Sequence, residues 1–283
     1  MLGLGNNLTK TYAKATWATQ FLSFDGSNDK AQLTLNESIR TQLSGTNDST
    51  DDIHNNITIS MWVKPTWQFD ESGANFIGLF ILGDDSTVHE GIRLFYQFEN
   101  GAGTFQNRLW GEARSDAGSN LKQTDYATLS DNNSITGTGT GSADSVLWDV
   151  NNVGNTNDNG LVNLVWTRGT GDWDIYWNGN ALSMVDGGND TLSTDESQYD
   201  ILELGTFSYQ SSFHKYGVRD LAIFNRNLDA TQIAELYNSG KFFDVRKHSA
   251  AEFLVYYCPL ETDGTELIAG NDLTITGATF TSL

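Results

Sequence analysis

Proline is nearly absent from this chain, with 2 in 283 residues, and cysteine is rarer still, with one, Cys258. A lone thiol excludes an intrachain disulfide, so nothing here requires an oxidising compartment, and Cys258, within an apolar run, is expected as a small buried strand residue. Basic residues are also scarce: 16 Lys and Arg stand against 36 Asp and Glu, for a formal charge of -20 and a pI near 4.3. A surface this negative repels phosphate backbones, which argues against a nucleic-acid partner, and it favours solubility. No apolar run reaches the length that spans a bilayer, so no membrane insertion is expected. The first residues, MLGLGNNLTKTYAK, lack a basic region followed by a continuous apolar stretch, so no secretory signal is expected. The histidines His54, His89, His214 and His248 show no short metal-ligand spacing, and no Gly-rich strand-to-helix turn of a phosphate cradle is found.

Apolar and turn-forming residues are abundant instead. The chain is 38% hydrophobic with 15 Phe, 10 Tyr and 8 Trp, enough for a sizeable core, and its 28 Gly lie with Asn, Asp, Ser and Thr between short apolar alternations. ITISMWVKP is the clearest strand, with Ile57, Ile59, Met61 and Val63 on one face and Thr58, Ser60, Trp62 and Lys64 on the other. FIGLFILG (76–83), IRLFYQF (92–98), NRLWGEAR (107–114), LVNLVWTR (161–168), DWDIYWNGN (172–180), ILELGTF (201–207) and YGVRDLAIFN (216–225) continue the series at the spacing of an antiparallel sandwich. Asn178-Gly179 predicts a type I′ hairpin, because both central positions want positive φ. One helix is predicted, in DATQIAELYNSG, with Asp229 as cap, Gln232 completing a capping box and Gly240 just past its end. Residues 41–56 and the tract 130–160 read as insertions, and residues 1–20 as an arm without strand or helix period.

FDGSNDKAQL (24–33), ITISMWVKP, DWDIYWNGN, GVRDLAIFNRNLDATQIAELYNSG (217–240) and YYCPLETDGTELIAGNDLTI (256–275) resemble successive signatures of the laminin G-like jelly roll of the concanavalin A-like lectin and glucanase superfamily. The resemblance implies an all-β fold, an antiparallel two-sheet jelly-roll sandwich with one short helix in the C-terminal half. Two departures stand out: Lys30 replaces the usual aromatic after the SND turn, and GTELIAGND replaces the usual DSSGNGND loop. The order is also unusual, since the segment that ordinarily opens such a domain stands last. A circular permutation and a truncated second copy both account for this. Permutation is preferred, because a lone opening strand leaves an unpaired apolar edge and termini that lie close tolerate permutation. The expected division is thus an arm, 1–20, and a jelly roll, 21–283.

An acidic, Asn- and Gly-rich chain that begins MLGLGNNL ahead of such a module also resembles virion proteins of marine tailed phages. This implies a non-catalytic structural protein of the phage particle, a capsid decoration or tail appendage made in the host cytoplasm. It would contact other virion proteins through the arm, with Leu2, Leu4 and Leu8 as anchors, and host glycans through its lectin-like body; a homo-oligomer is compatible with it. A free carbohydrate-binding module is the alternative, and a glycoside hydrolase the third reading.

In the resembled fold a calcium ion sits between the opening loop and a strand reading G-x-x-D-x-x-x-F/Y. Here that implicates Asp220 together with Glu261, Asp263, Asn271 and Asp272, as calcium wants six to eight oxygen ligands from flexible loops. The competing reading has Asp220 receive loop backbone N–H groups with no metal. Asp25, Asn28 and Asp29 read as turn chemistry. Glu261, Asp263 and Glu266 reproduce an E-x-D-x-x-E spacing found in glucanases, where carboxyls about 5 Å apart serve retaining hydrolysis; Asp263-Gly264 reads as a turn, which weakens that case. Trp67, Trp148 and Trp173, flanked by polar residues, are the candidates to stack on sugar rings.

Overall fold

The structure, a computed structural model, describes residues 20–44, 56–65, 76–83, 91–100, 104–114, 122–128, 161–169, 172–185, 200–207 and 212–282. Leu2, Leu4, Leu8, His54, His89, Trp67, Trp148 and the tract 130–160 lie outside the described residues. In chain order the first elements are β1 (Gln20–Asp25), β2 (Lys30–Thr34), α1 (Glu37–Ser44), β3 (Ile57–Pro65), β4 (Phe76–Gly83), β5 (Gly91–Asn100), β6 (Thr104–Arg114) and β7 (Lys122–Thr128). Then come β8 (Val162–Gly169), β9 (Asp172–Trp177), β10 (Asn180–Ala181), β11 (Met184–Val185), β12 (Ile201–Leu204), β13 (Thr206–Phe207), β14 (Ser212–Phe213) and β15 (Lys215–Phe224). Helix α2 (Ala230–Tyr237) follows, and β16 (Leu254–Cys258), β17 (Thr274–Thr276) and β18 (Thr279–Ser282) close the described chain.

These strands form two large antiparallel sheets, the jelly-roll sandwich expected. The first sheet runs β10-β9-β8-β3-β15-β1-β18, with β16 also on β15; the second runs β11-β7-β6-β5-β4-β12-β2-β17. Alternation decides which side chains meet between them. Ile59, Met61, Val63, Leu164, Trp166 and Ile175 of the first sheet face Ala31, Leu33, Leu94, Tyr96, Leu109 and Leu202 of the second in one buried core. Tyr216 crosses that core, its hydroxyl donating to Leu79 O at 2.8 Å and accepting from Gly205 N at 2.9 Å.

The first sheet is covered on its outer side as well. Helix α2 and the turns of 238–253 lay Leu228, Ile233, Leu236, Val245 and Ala250 over Val165, Ala222, Phe224 and Tyr257, a second apolar layer. The predicted capping box is present: Asp229 Oδ1 accepts from Gln232 N at 2.9 Å and Gln232 Oε1 accepts from Asp229 N at 3.0 Å. The predicted hairpin is present too, with Asn178 at φ 49° and Gly179 at φ 76° between β9 and β10. A short helix not expected from the sequence, α1, starts ahead of residues 41–56 and runs into what reads as polar loop; Asn36 Oδ1 accepts from Ile39 N at 3.0 Å as its cap, and Ile39 is fully buried in the main core. Among the described residues no helix is long and apolar enough to cross a membrane.

The C-terminal run lies in the same two sheets. β18 pairs with β1 (Leu22 opposite Phe280) and β17 with β2 (Thr274 opposite Gln32). β15 holds β3 along one side, while β1 and β16 lie end to end on its other side, against residues 215–218 and 221–224 respectively. Where they meet, β15 shifts register against β3 and Asp220 takes φ 52°, a left-handed conformation for the extra residue of a bulge.

Candidate functional site

Two places gather polar side chains, and the chemistry of each follows from what already occupies those groups. The first is the bulge. Arg219 is fully buried beside the Phe242 ring, its Cζ 3.6 Å from the ring centroid. Its Nε donates to Asp220 Oδ2 at 2.9 Å, one Nη to Gln20 O at 3.2 Å and the other to Glu261. Tyr257 donates its hydroxyl to Asp220 Oδ1 at 2.9 Å. Burial pushes the Asp220 carboxyl above the ordinary range, while the guanidinium of Arg219 and the Tyr257 hydroxyl pull it back. One cation therefore ties the start of β1, the bulge of β15 and the loop after β16 together.

The loop 261–273 is held from inside by Glu266, which is 4% exposed. Its carboxylate accepts from Tyr257 N at 3.0 Å, Ile268 N at 2.7 Å, Ala269 N at 2.5 Å and Gly270 N at 2.7 Å, while Asp272 Oδ1 accepts from Glu266 N at 2.8 Å. Asp263 Oδ1 accepts from Thr265 N at 3.0 Å, and Gly264 lets Leu273 approach, since a Cβ there would lie 2.2 Å from Leu273 O. The loop-anchoring role that the competing reading gave Asp220 is carried out by Glu266. Its position, five residues after Glu261 and flanked by Gly264 and Gly270, was the signal available in the sequence.

The expected metal ligands Asp220, Glu261, Asp263, Asn271 and Asp272 are brought to one region, but at least one oxygen of each carboxylate is already engaged: both of Asp220 by Arg219 and Tyr257, one of Glu261 by Arg219, one each of Asp263 and Asp272 by backbone N–H groups. Among the described residues no group of three or more His, Cys, Asp and Glu is placed to hold a metal ion. As arranged, the set does not fit calcium, which needs several oxygens turned toward one point. The E-x-D-x-x-E carboxylates wrap a turn after β16 instead of alternating along a strand, and each serves a structural contact. Cys258 is buried and its thiol is pushed up by burial, the environment of an inert cysteine. Asp25 and Asp29 do close a turn, with Ser27 N donating to Asp25 Oδ1 at 2.7 Å and Asp25 N to Asp29 Oδ2 at 2.8 Å.

The second place is the outward face of the second sheet. Register partners Gln32, Glu203, Ile81, Arg93 and Glu112 run in a row across five strands of that face. The middle of the row is covered: Glu203 is 3%, Arg93 5% and Glu112 6% exposed. Two parts are less buried. On β5 and β6, Phe95 and Trp110 stack at 5.6 Å and 9°, half-buried, with Arg108 Cζ 5.9 Å from the Trp110 ring. At the other edge a cleft of about 460 Å³ is lined by Gln32, Thr34, Leu35, Arg40, Asp200, Ile201 and Thr274.

Helix α1 builds that cleft by turning Arg40 toward the end of β12, where Nη1 meets Asp200 Oδ1 at 2.8 Å. Arg40 Nε is shut from solvent with no hydrogen-bond partner among the described residues. Lys30 Nζ donates to Gln32 Oε1 at 3.1 Å and Gln32 Nε2 to Glu203 Oε1 at 3.0 Å, which fixes the amide and leaves it a further donor and acceptor. A carboxylate, a guanidinium N–H, an oriented amide and two hydroxyls thus share a concavity with Leu35 and Ile201. That set complements a ligand whose neighbouring groups both donate and accept.

Of the aromatic residues expected to meet sugars, Trp173 is 1% exposed and packs on Gly111 across the core, where a Cβ would lie 2.9 Å from its ring. Trp173 is a core residue because it falls on the inward phase of β9, while the next residue, Asp174, is exposed on the other face. Trp110 was missed, although the alternation Arg108, Trp110, Glu112 against Leu109 marks it as outward.

No protein-family model matches the sequence, and no curated protein does. Solved structures match in fold. A candidate carbohydrate-binding protein from Bacteroides ovatus superposes at a TM-score of 0.54 with 16% identity over 94% of this chain and 60% of that one, so the chain spans about three fifths of that protein's length. A heptameric SAP-like pentraxin from Limulus polyphemus gives a TM-score of 0.49 at 11% identity over 94% and 95% of the two chains. The binding domain of botulinum neurotoxin DC gives 0.45 at 16% identity over 82% and 45%. At such identities the likeness is one of fold: the chain is an antiparallel jelly-roll sandwich, as the Bacteroides ovatus protein is.

Proposed function

We propose that the protein is a non-catalytic recognition module that holds a neutral glycan in the cleft between α1 and the edge of the second sheet. The observation that carries this reading is the composition of the cleft: Arg40 and Asp200 neutralise one another, and Gln32, Thr34 and Thr274 add oriented polar atoms around two aliphatic side chains. Hydroxyls of a sugar both donate to Asp200 and accept from the exposed part of the Arg40 guanidinium. The half-buried Phe95–Trp110 stack on the same face supports a further contact for an apolar sugar face. The test is glycan-array and calorimetric binding by the full chain, with Asp200→Asn and Gln32→Ala expected to weaken binding about tenfold or more while the circular dichroism spectrum is unchanged. Retention of full affinity by both variants, or no glycan binding at all, overturns the reading.

The finer reading sets this module on a phage particle, attached through residues 1–20 with Leu2, Leu4 and Leu8 as anchors. What supports it is the resemblance of the first residues and of the acidic, Asn- and Gly-rich chain to virion proteins. Recovery of the protein on purified particles, lost when residues 1–20 are deleted, is the expected result; attachment that survives the deletion rules out the arm.

A further inference from the structure

The C-terminal run of the described chain is nearly free of charge. From Leu267 to Leu283 there is one ionisable side chain, Asp272, in a protein of net charge -20. This stretch forms one side of the sandwich. β18 is the last strand of the first sheet and β17 the last strand of the second, joined through Gly277 at φ 78°. Each has a single neighbour among the described residues, β1 and β2.

Folded proteins protect such edges with Lys, Pro, inward charges or a covering element. Here Thr279, Phe280, Thr281 and Ser282 on one tier and Thr274, Ile275 and Thr276 on the other contain none of these residues, and the threonines are exposed. The loop that leads into β17 and lies along β16, with Leu267 N donating to Tyr257 O at 2.9 Å, presents Leu267 at 38% and Ile268 at 43% exposure, two of the most exposed large apolar side chains of the described surface. That loop is already ordered by the Glu266 carboxylate, so covering Leu267 and Ile268 carries little further cost in conformational entropy.

We infer that this side is a homodimer interface, in which β18 pairs antiparallel with β18 of a second copy about a two-fold axis. The occupant follows from charge. Two molecules of charge -20 repel over most of their surfaces, and a basic partner is drawn to those same acidic surfaces. The uncharged side is where a second copy meets least repulsion, and a strand pairing with itself is the isologous contact a two-fold axis requires.

Sedimentation velocity on the full chain over a wide concentration range tests this. A concentration-dependent dimer is expected, weakened about tenfold by Thr281→Glu and by Thr281→Lys, since each places like charges across the axis. Mixing these two variants is expected to restore the dimer, which no loss of folding imitates. Leu267→Ser with Ile268→Ser is expected to weaken it too, at unchanged circular dichroism. A chain monomeric at every concentration, a dimer indifferent to all these substitutions, or a mixture that fails to recover overturns the inference.

Discussion

His214 is 3% exposed, with the Phe207 ring edge-on at 4.9 Å and Ser212 Oγ at 3.4 Å from Nε2. Burial lowers its pKa from 6.5 to about 4. Between those values the unfolded chain takes up a proton that the folded one does not, so His214 contributes its full share of stability above pH 6.5 and loses it as the pH falls toward 4. The loss amounts to about 3 kcal/mol, at 1.36 kcal/mol per unit of pKa. Urea midpoints measured across this window are expected to fall in the native protein and to fall less in His214→Gln; parallel slopes rule out this origin. At this scale the sequence was legible where a residue's neighbours in the chain decide its role: Asp229, Asn178 and Asp25 behave as their local patterns require. Asp220 stood out in the sequence but its contacts did not, since Arg219, adjacent in sequence, meets it where β15 shifts register, and Tyr257 reaches it from β16.

Helix α2 shows how an element's stability divides. Its eight residues are too few to persist alone, and Ile233 and Leu236 packed into the outer apolar layer supply most of its stability. The Asp229–Gln232 box supplies a separable part: Asp229→Ala is expected to cost about 1 kcal/mol, read as a lower denaturant midpoint at an unchanged slope. A variant as stable as the native chain contradicts the capping role. The strands with one inward and one outward face were readable by alternation, and β3 and β4 have the bounds the pattern predicts. α1 was not readable, because it carries little apolar periodicity. Among its described side chains only Ile39 is in the core, and the helix is held by its Asn36 cap and the Arg40–Asp200 pair across 160 positions.

Across the whole molecule, the chain is closed by its own last strands. β18 pairs with β1, β17 with β2, and Leu260 and Leu273 from the intervening loop enter the main core. Deletion of residues 261–283 therefore removes Glu261, a partner of Arg219, and opens both sheets at one side. The truncated chain is expected to lose its cooperative thermal transition and near-ultraviolet circular dichroism; a truncated chain that melts cooperatively near the native temperature contradicts this closure.

The amino-acid sequence alone determined that the protein is an antiparallel β-sandwich, because inward and outward faces are written into alternate residues and turns into Asn, Gly and Asp. It also determined where the one strongly capped helix begins. Tertiary structure alone decided what the polar residues do. Glu266 anchors its loop only because residues 257–270 close around one carboxylate, Trp110 gains Phe95 only by the register of β5 on β6, and Gln32, Arg40 and Asp200 share a cleft through pairing between distant segments, as the Arg40–Asp200 separation of 160 positions shows. Such convergence leaves no local period in the chain, since side chains become neighbours only after the sheets have closed.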